Sequence, residues 1–181
     1  MTETQSVAPY RPHSVPVYRE PTPCTHALHH ILVTQSATAK ALGHLIQRFD
    51  QPGLPTPRVL CVGVDGFEQR LKGLLHCASV GTHLYILGDE AFLWQVYGLA
   101  HAEGLLDDEI DLIESGPINR RVYCVHCASL QDSGPEREVT CSHCHVVLGV
   151  REHFSQRLGA YMGVCENPDR PYSPTGSGVR S

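Results

Sequence analysis

Four of the eight cysteines fall in two C-x-x-C pairs within C-V-H-C-A-S-L-Q-D-S-G-P-E-R-E-V-T-C-S-H-C-H, Cys124 to His145, with thirteen residues between the pairs. A thiolate is a soft ligand. Two tight loops that each present two thiolates can close a tetrahedron around one ion while backbone N–H groups point at the sulfurs. The candidate metal ligands are therefore Cys124, Cys127, Cys141 and Cys144. The short intervening loop favours zinc, and a single iron accepting the same four thiolates is the alternative.

Other chemistries of this pattern fit less well. Cys141, Cys144 and His145 also read C-x-x-C-H, the covalent haem-attachment pattern, but that leaves Cys124 and Cys127 unused and needs an export route. The start, M-T-E-T-Q-S-V-A-P-Y-R-P-H, lacks the basic-then-apolar pattern of a secretory signal, and no apolar run is long enough to span a bilayer. The expectation is a cytoplasmic protein with no membrane contact, and in a reducing cytosol clustered cysteines are more often ligands than disulfides. Neither pair opens a helix after a strand, as a low-pKa redox pair does, and iron–sulfur clusters use other spacings. With four thiolates available, His126, His143 and His145 read as exposed loop residues. Cys24, Cys61, Cys77 and Cys165 stand alone, and His29 and His30 have no carboxylate at ligand spacing.

Short strands position the cysteines: R-V-Y-C, R-E-V-T-C and H-V-V-L-G-V-R, with Q-D-S-G-P-E as a turn. A helix over H-F-S-Q-R-L-G-A-Y-M-G would place Phe154, Leu158 and Tyr161 on one stripe, with His153 and Arg157 beside it. Residues 118–165 thus read as a metal-ribbon module too small to bury much apolar surface. Most of its folding free energy would come from the ion, on the order of 10 kcal/mol or more for structural zinc.

Upstream, strand and helix alternate. H-H-I-L-V-T precedes a helix striped by Leu42, Leu45, Ile46 and Phe49. P-R-V-L-C-V-G-V-D-G reads as a buried strand before a helix carrying Phe67, Leu71, Leu74 and Leu75. T-H-L-Y-I-L-G-D-E is a third strand with Asp89 placed to cap a helix striped by Phe92, Val96 and Leu99 and stopped at Gly104. E-I-D-L-I-E-S is a fourth. Strands joined by single helices favour a parallel sheet with helices on both faces, here a small Rossmann-like α/β domain over residues 26–117. Gly63 and Gly66 do not have G-x-G-x-x-G spacing, and tight strand-to-helix turns account for them without a phosphate.

The ends differ in composition. Residues 1–25 form a proline-rich arm, with Pro9, Pro12, Pro16, Pro21 and Pro23, read as a loose extended tail. Residues 166–181 are rich in Pro, Gly and Ser and read as a flexible tail. The formal charge of −5 disfavours nucleic acid as a partner.

The passage R-V-Y-C-V-H-C…V-T-C-S-H-C-H-V-V-L-G-V-R-E-H-F-S-Q-R-L-G-A-Y-M-G-V resembles the C-terminal signature of the small A-subunit family of dimethylamine monooxygenase. In that family a four-cysteine module leads into V-R-x-H-F-S-x-R-x-x-A-Y-x-G, here Val150 to Gly163. Ser142 and His145 replace residues usually Pro and Gly there, leaving the ligands intact. Separately, L-G-D-E-A-F-L-W-Q-V-Y-G-L-A-H-A-E-G-L-L-D-D-E-I-D-L-I-E-S-G is similar to the nicotinamide-binding half of ferredoxin-reductase-like flavoenzymes, with Leu87, Gly88 and Asp89 where those carry C-G-P. The first resemblance implies an accessory subunit, not catalytic alone, of an NAD(P)H- and oxygen-dependent enzyme that converts dimethylamine to methylamine and formaldehyde. It also implies catalytic and reductase partner subunits that carry the haem, flavin and iron–sulfur cluster. The α/β region would then be a docking scaffold, and its module a zinc ribbon or, alternatively, a rubredoxin-like iron site.

Overall fold

The structure, a computed structural model, describes residues 14–18, 20, 22–38, 40–63 and 65–172. Pro9, Pro12 and Pro21 of the arm and the tail beyond Tyr172 lie outside the described residues.

The first half is a parallel sheet with helices on both faces. Its elements run β1 (His29–Thr34), α1 (Lys40–Phe49), β2 (Arg58–Cys61), α2 (Phe67–His76), β3 (Thr82–Gly88), α3 (Glu90–Ala102) and β4 (Ile110–Glu114), in strand order β2-β1-β3-β4. β3 is buried at every position, as a central parallel strand covered on both faces must be. Side-chain alternation divides the core in two. Leu32, Tyr85, Leu87 and Ile113 meet Leu42, Leu45 and Phe49 of α1, while Ile31, Val33, Leu84 and Ile86 meet α2 and α3. Asp89 caps α3 by accepting the Phe92 N–H at 2.9 Å, and Gly104, at φ 98°, follows the helix end.

β2 differs from the sequence expectation. It is a four-residue edge strand in which Leu60 alone is buried, because among the described residues no strand pairs with its outer flank and only part of α2 covers it. Ile46 likewise sits at the exposed margin of α1.

The second half is a mixed sheet of β5 (Arg120–Cys124), β6 (Leu130–Ser133), β7 (Glu138–Thr140), β8 (Val147–Ser155) and β9 (Ala160–Cys165), in order β6-β5-β9-β8-β7. The helix expected over residues 153–163 is absent: β8 and β9 form a hairpin there. Phe154 and Tyr161 do share a face, but as directly opposed cross-strand residues. Seven positions in a helix and one hairpin turn both superpose these two side chains, so the stripe alone could not choose. Gly159, at φ +58°, ends the turn, and a Cβ there would stand 2.8 Å from the Trp94 Cβ. Part of the expected Q-D-S-G-P-E turn is also strand, since Gln131 to Ser133 pair with β5.

α3 lies between the two sheets. It contacts β3 and β4 on one side and β5 on the other, and its buried residues encircle it. Trp94 packs on Phe154 with ring centroids 4.7 Å apart, and Phe154 on Tyr161 at 5.0 Å. The arm is tied into this seam. Tyr18 donates to Glu90 Oε2 at 2.8 Å and accepts from Trp94 Nε1 at 2.9 Å, and Tyr161 donates to the same carboxylate oxygen at 3.4 Å. Glu20 pairs with Arg48 at 2.8 Å. Burial is the main cause that raises the Glu90 pKa, and the nearby Glu114 carboxylate adds to it.

Candidate metal centre

β5 delivers Cys124 into one loop, and Thr140 at the end of β7 delivers Cys141 into the other. The two loops have the same backbone bonding. The Cys124 N–H bonds to the Ser129 carbonyl at 2.9 Å and the Ala128 N–H to the Cys124 carbonyl at 2.8 Å; Cys141 repeats this with Val146 and His145, both at 2.9 Å. Each loop turns through a left-handed non-glycine residue, Ala128 at φ 57° and His145 at φ 62°. The strain of holding those residues there is of order 1–3 kcal/mol each. The left-handed turn at each of them folds the loop tightly enough to bring both of its thiols to the same side.

The four sulfurs lie within 4.8 Å of one another, with Cys124–Cys144 and Cys127–Cys141 at 3.7 Å. A metal–sulfur bond of about 2.3 Å in a regular tetrahedron gives a sulfur–sulfur edge of about 3.8 Å, whereas a disulfide needs about 2.05 Å. The cysteines are unpaired thiols whose spacing fits a four-thiolate ion. Among the described residues no other group of three or more His, Cys, Asp or Glu converges in this way.

Six backbone N–H groups point at the sulfurs: those of His126 and Cys127 at Cys124, of Ser129 at Cys127, of His143 and Cys144 at Cys141, and of Val146 at Cys144. Electrostatics divides the thiols. Burial pushes Cys124 up to about 12, against its two backbone N–H donors. Burial acts the same way on Cys141, but the Cys144 N–H, the Ser129 hydroxyl and the His143 N–H outweigh it and hold that thiol at about 6. An entering cation must therefore displace protons, and in doing so it supplies the charge that lets all four sulfurs ionise together.

Two supporting residues escape the sequence reading. The Ser129 hydroxyl lies 3.0 Å from Cys127 Sγ and 3.5 Å from Cys141 Sγ, bridging the loops. Gln131 of β6 accepts the Ser142 N–H at 2.8 Å and so holds the second loop from the strand that leaves the first. Ser129 had a usable signal, a hydroxyl two residues past a ligand; Gln131 had none, because its role comes from strand pairing. His126, His143 and His145 are exposed on the loops. Val122, Val146 and Leu148 are the buried aliphatics under the thiols.

The other place where this fold class holds ligands is the crevice between β1 and β3, where the strand order reverses. Here side chains fill it. Gln35 donates to Asp89 Oδ2 at 2.9 Å and accepts the Asp89 N–H at 2.9 Å, and Asn119 donates to the same carboxylate oxygen at 3.2 Å. Gln35 presses so closely on Gly88 that a Cβ there would lie 2.9 Å from its Oε1. Gly63 and Gly66 occupy left-handed turn positions at φ 95° and 71° before α2. Among the described residues, no helix is long and apolar enough to cross a membrane.

Fold and site together define a small α/β protein carrying a cluster of four thiols that could bind a metal. The family model of the dimethylamine monooxygenase subunit DmmA-like C-terminal domain matches residues 121–164, which span all four cysteines and the β8–β9 hairpin. The heme-dependent oxidative N-demethylase delta subunit of Ectopseudomonas mendocina (strain ymp) is 42% identical over 175 residues, covering 92% of this chain and 96% of that one. The chain belongs to the DmmA-like small-subunit family. No solved structure matches it significantly.

Proposed function

We propose that this chain is an accessory subunit of an oxygen- and NAD(P)H-dependent, heme-containing N-demethylase, with dimethylamine as substrate and methylamine and formaldehyde as products. The observation that carries the reading is its near full-length similarity to a delta subunit of a heme-dependent oxidative N-demethylase. In this reading the catalytic and reductase chains hold the haem, flavin and iron–sulfur cluster, and the protein works in the cytoplasm. Cys124, Cys127, Cys141 and Cys144 hold a zinc ion whose contribution is structural, a cross-link between the two loops. The filled crevice at Gln35, Asp89 and Asn119 supports a scaffold role for the parallel sheet, since a nucleotide would have to displace a satisfied polar network.

The two sheets share the core around Trp94, so a surface on one is held rigidly with respect to the other. Elemental analysis of the purified chain, with visible spectra before and after dithionite, tests the metal assignment: one zinc and no colour is expected. Co-purification with the other subunits tests the accessory role, and a monomer with no affinity for any of them would defeat it.

A second reading makes the same four thiolates a rubredoxin-like iron centre that carries electrons. The six N–H groups aimed at the sulfurs suit it as well as zinc, and with iron such hydrogen bonds would tune the iron–thiolate potential. One iron per chain with an absorption band that bleaches reversibly would establish it.

A further inference from the structure

We propose that the cleft between α2, α3 and the β8–β9 turn receives an acidic segment of a partner subunit. The cleft has a volume of about 290 Å³, and Lys72 of α2, Arg121 of β5 and Arg157 of the turn all line it. Glu68 is the one carboxylate in its lining. Among the described residues, none of the three cations has an ion-pair partner. Three positive charges from three separate elements thus converge against a single carboxylate in a chain of net charge −5. Leaving them unpaired costs self-repulsion that an acidic partner would relieve.

The surroundings suit a protein segment. Trp94 and Leu99 give the cleft an apolar wall, while Gln95 and Gln156 offer amides for a partner's backbone. Lys72 and Arg157 are exposed and Arg121 is half-buried, so no charged group is enclosed as a small-anion site would require. The turn bearing Arg157 is fixed in advance: the Leu158 and Gly159 N–H groups bond back to Ser155 and Gln156 at 3.1 Å, and Gly159 seats against Trp94. Presenting the cation on a fixed turn lowers the ordering cost of association. The proposal rests on the accessory-subunit reading and names the chemistry of the contact that reading requires.

The test uses the full metal-loaded chain and the remaining subunits of its own demethylase, with association rates measured at about 0.05 M and 0.5 M salt, where screening differs strongly. K72E/R121E/R157E should slow association about tenfold or more at low salt, with the difference shrinking at high salt. K40E/R58E/R70E, the same charge change at exposed positions elsewhere, should stay within about twofold of the native rate. The neutral K72Q/R121Q/R157Q covers the case in which the reversed variant fails to fold, and should slow association in the same direction by a smaller factor. Equal rates for cleft and control variants, whether both slowed or both native, would overturn the cleft assignment while leaving the accessory role intact. A native chain that binds none of the subunits would instead remove the accessory reading, and this proposal with it.

Discussion

Stripping the ion with a chelator, or replacing Cys141 by Ser, should unfold the second sheet while the parallel sheet persists. The three buried aliphatics beneath the thiols, Val122, Val146 and Leu148, contribute about 1.5–3 kcal/mol each, at most about 9 kcal/mol. Ordering the backbone of the two six-residue loops costs roughly 12–24 kcal/mol at about 1–2 kcal/mol per residue. A structural zinc held by the four thiolates, as proposed, would supply about 10–16 kcal/mol, enough to close that gap. The α1 side of the parallel sheet does not depend on this: the cluster of Leu32, Leu42, Leu45, Phe49, Tyr85, Leu87 and Ile113 contains no residue of the second sheet, whereas the opposite side shares its core with Phe154 and Tyr161. The chain carries a single tryptophan, and Trp94 stands at the seam, 5% exposed and packed on Phe154. Metal removal should therefore shift its emission to the red while far-ultraviolet circular dichroism keeps the helical signal of α1, α2 and α3. A chain shown metal-free by elemental analysis, with unchanged Trp94 emission and an unchanged melting temperature, would refute the reasoning.

Three further outcomes follow from particular side chains. Glu90 has a folded pKa raised above its ordinary 4.5, so the folded state binds more protons than the unfolded one just above that value and stability falls as pH rises from there toward the raised pKa. The denaturation free energy of Glu90→Gln, measured across that range, should lack this decline; parallel pH profiles for variant and native protein would contradict it. Gly159→Ala combines a left-handed backbone with a close approach to Trp94 and should lose about 2–4 kcal/mol by chemical denaturation, whereas Gly43→Ala, with nothing within 4 Å in α1, should gain about 0.5–1 kcal/mol. Titration of the isolated chain with NADH or NADPH should show no saturable binding, and a saturable signal would mean that the Gln35 network opens.

Much of the parallel sheet was legible because its signals are local. A seven-residue run buried on both faces, a carboxylate three residues before the N–H it caps, and a glycine past a helix end each announce themselves within one turn of chain. The cysteine spacing is equally local, and the sulfurs do converge. What stayed hidden depends on partners distant in sequence. The polar segment Leu130 to Ser133 has no strand pattern of its own and becomes β6 by pairing with β5. Phe154 and Tyr161 carry a spacing that a helix and a hairpin both satisfy, and Gly159 against Trp94 decides between them. The arm read as loose because prolines dominate it, yet Tyr18 finds Glu90 and Trp94 more than seventy residues away. Loop-closure entropy grows slowly with separation, so such contacts cost the fold little extra while leaving almost no trace in a sequence window.

The position of β9 carries a consequence for how the protein is made. It is the last strand among the described residues, yet it lies in the middle of its sheet, parallel to β5 through Val122↔Tyr161 and antiparallel to β8 through Phe154↔Tyr161. One cysteine loop hangs from β5 and the other precedes β8, so the two are brought into register only once β9 has slotted between them. During synthesis both pairs of thiols exist before the strand that aligns them. In the metal-bound reading, loading would therefore be a finishing step of biogenesis, and a released chain truncated after Gly159 would carry all four cysteines without the strand that brings the two loops into register.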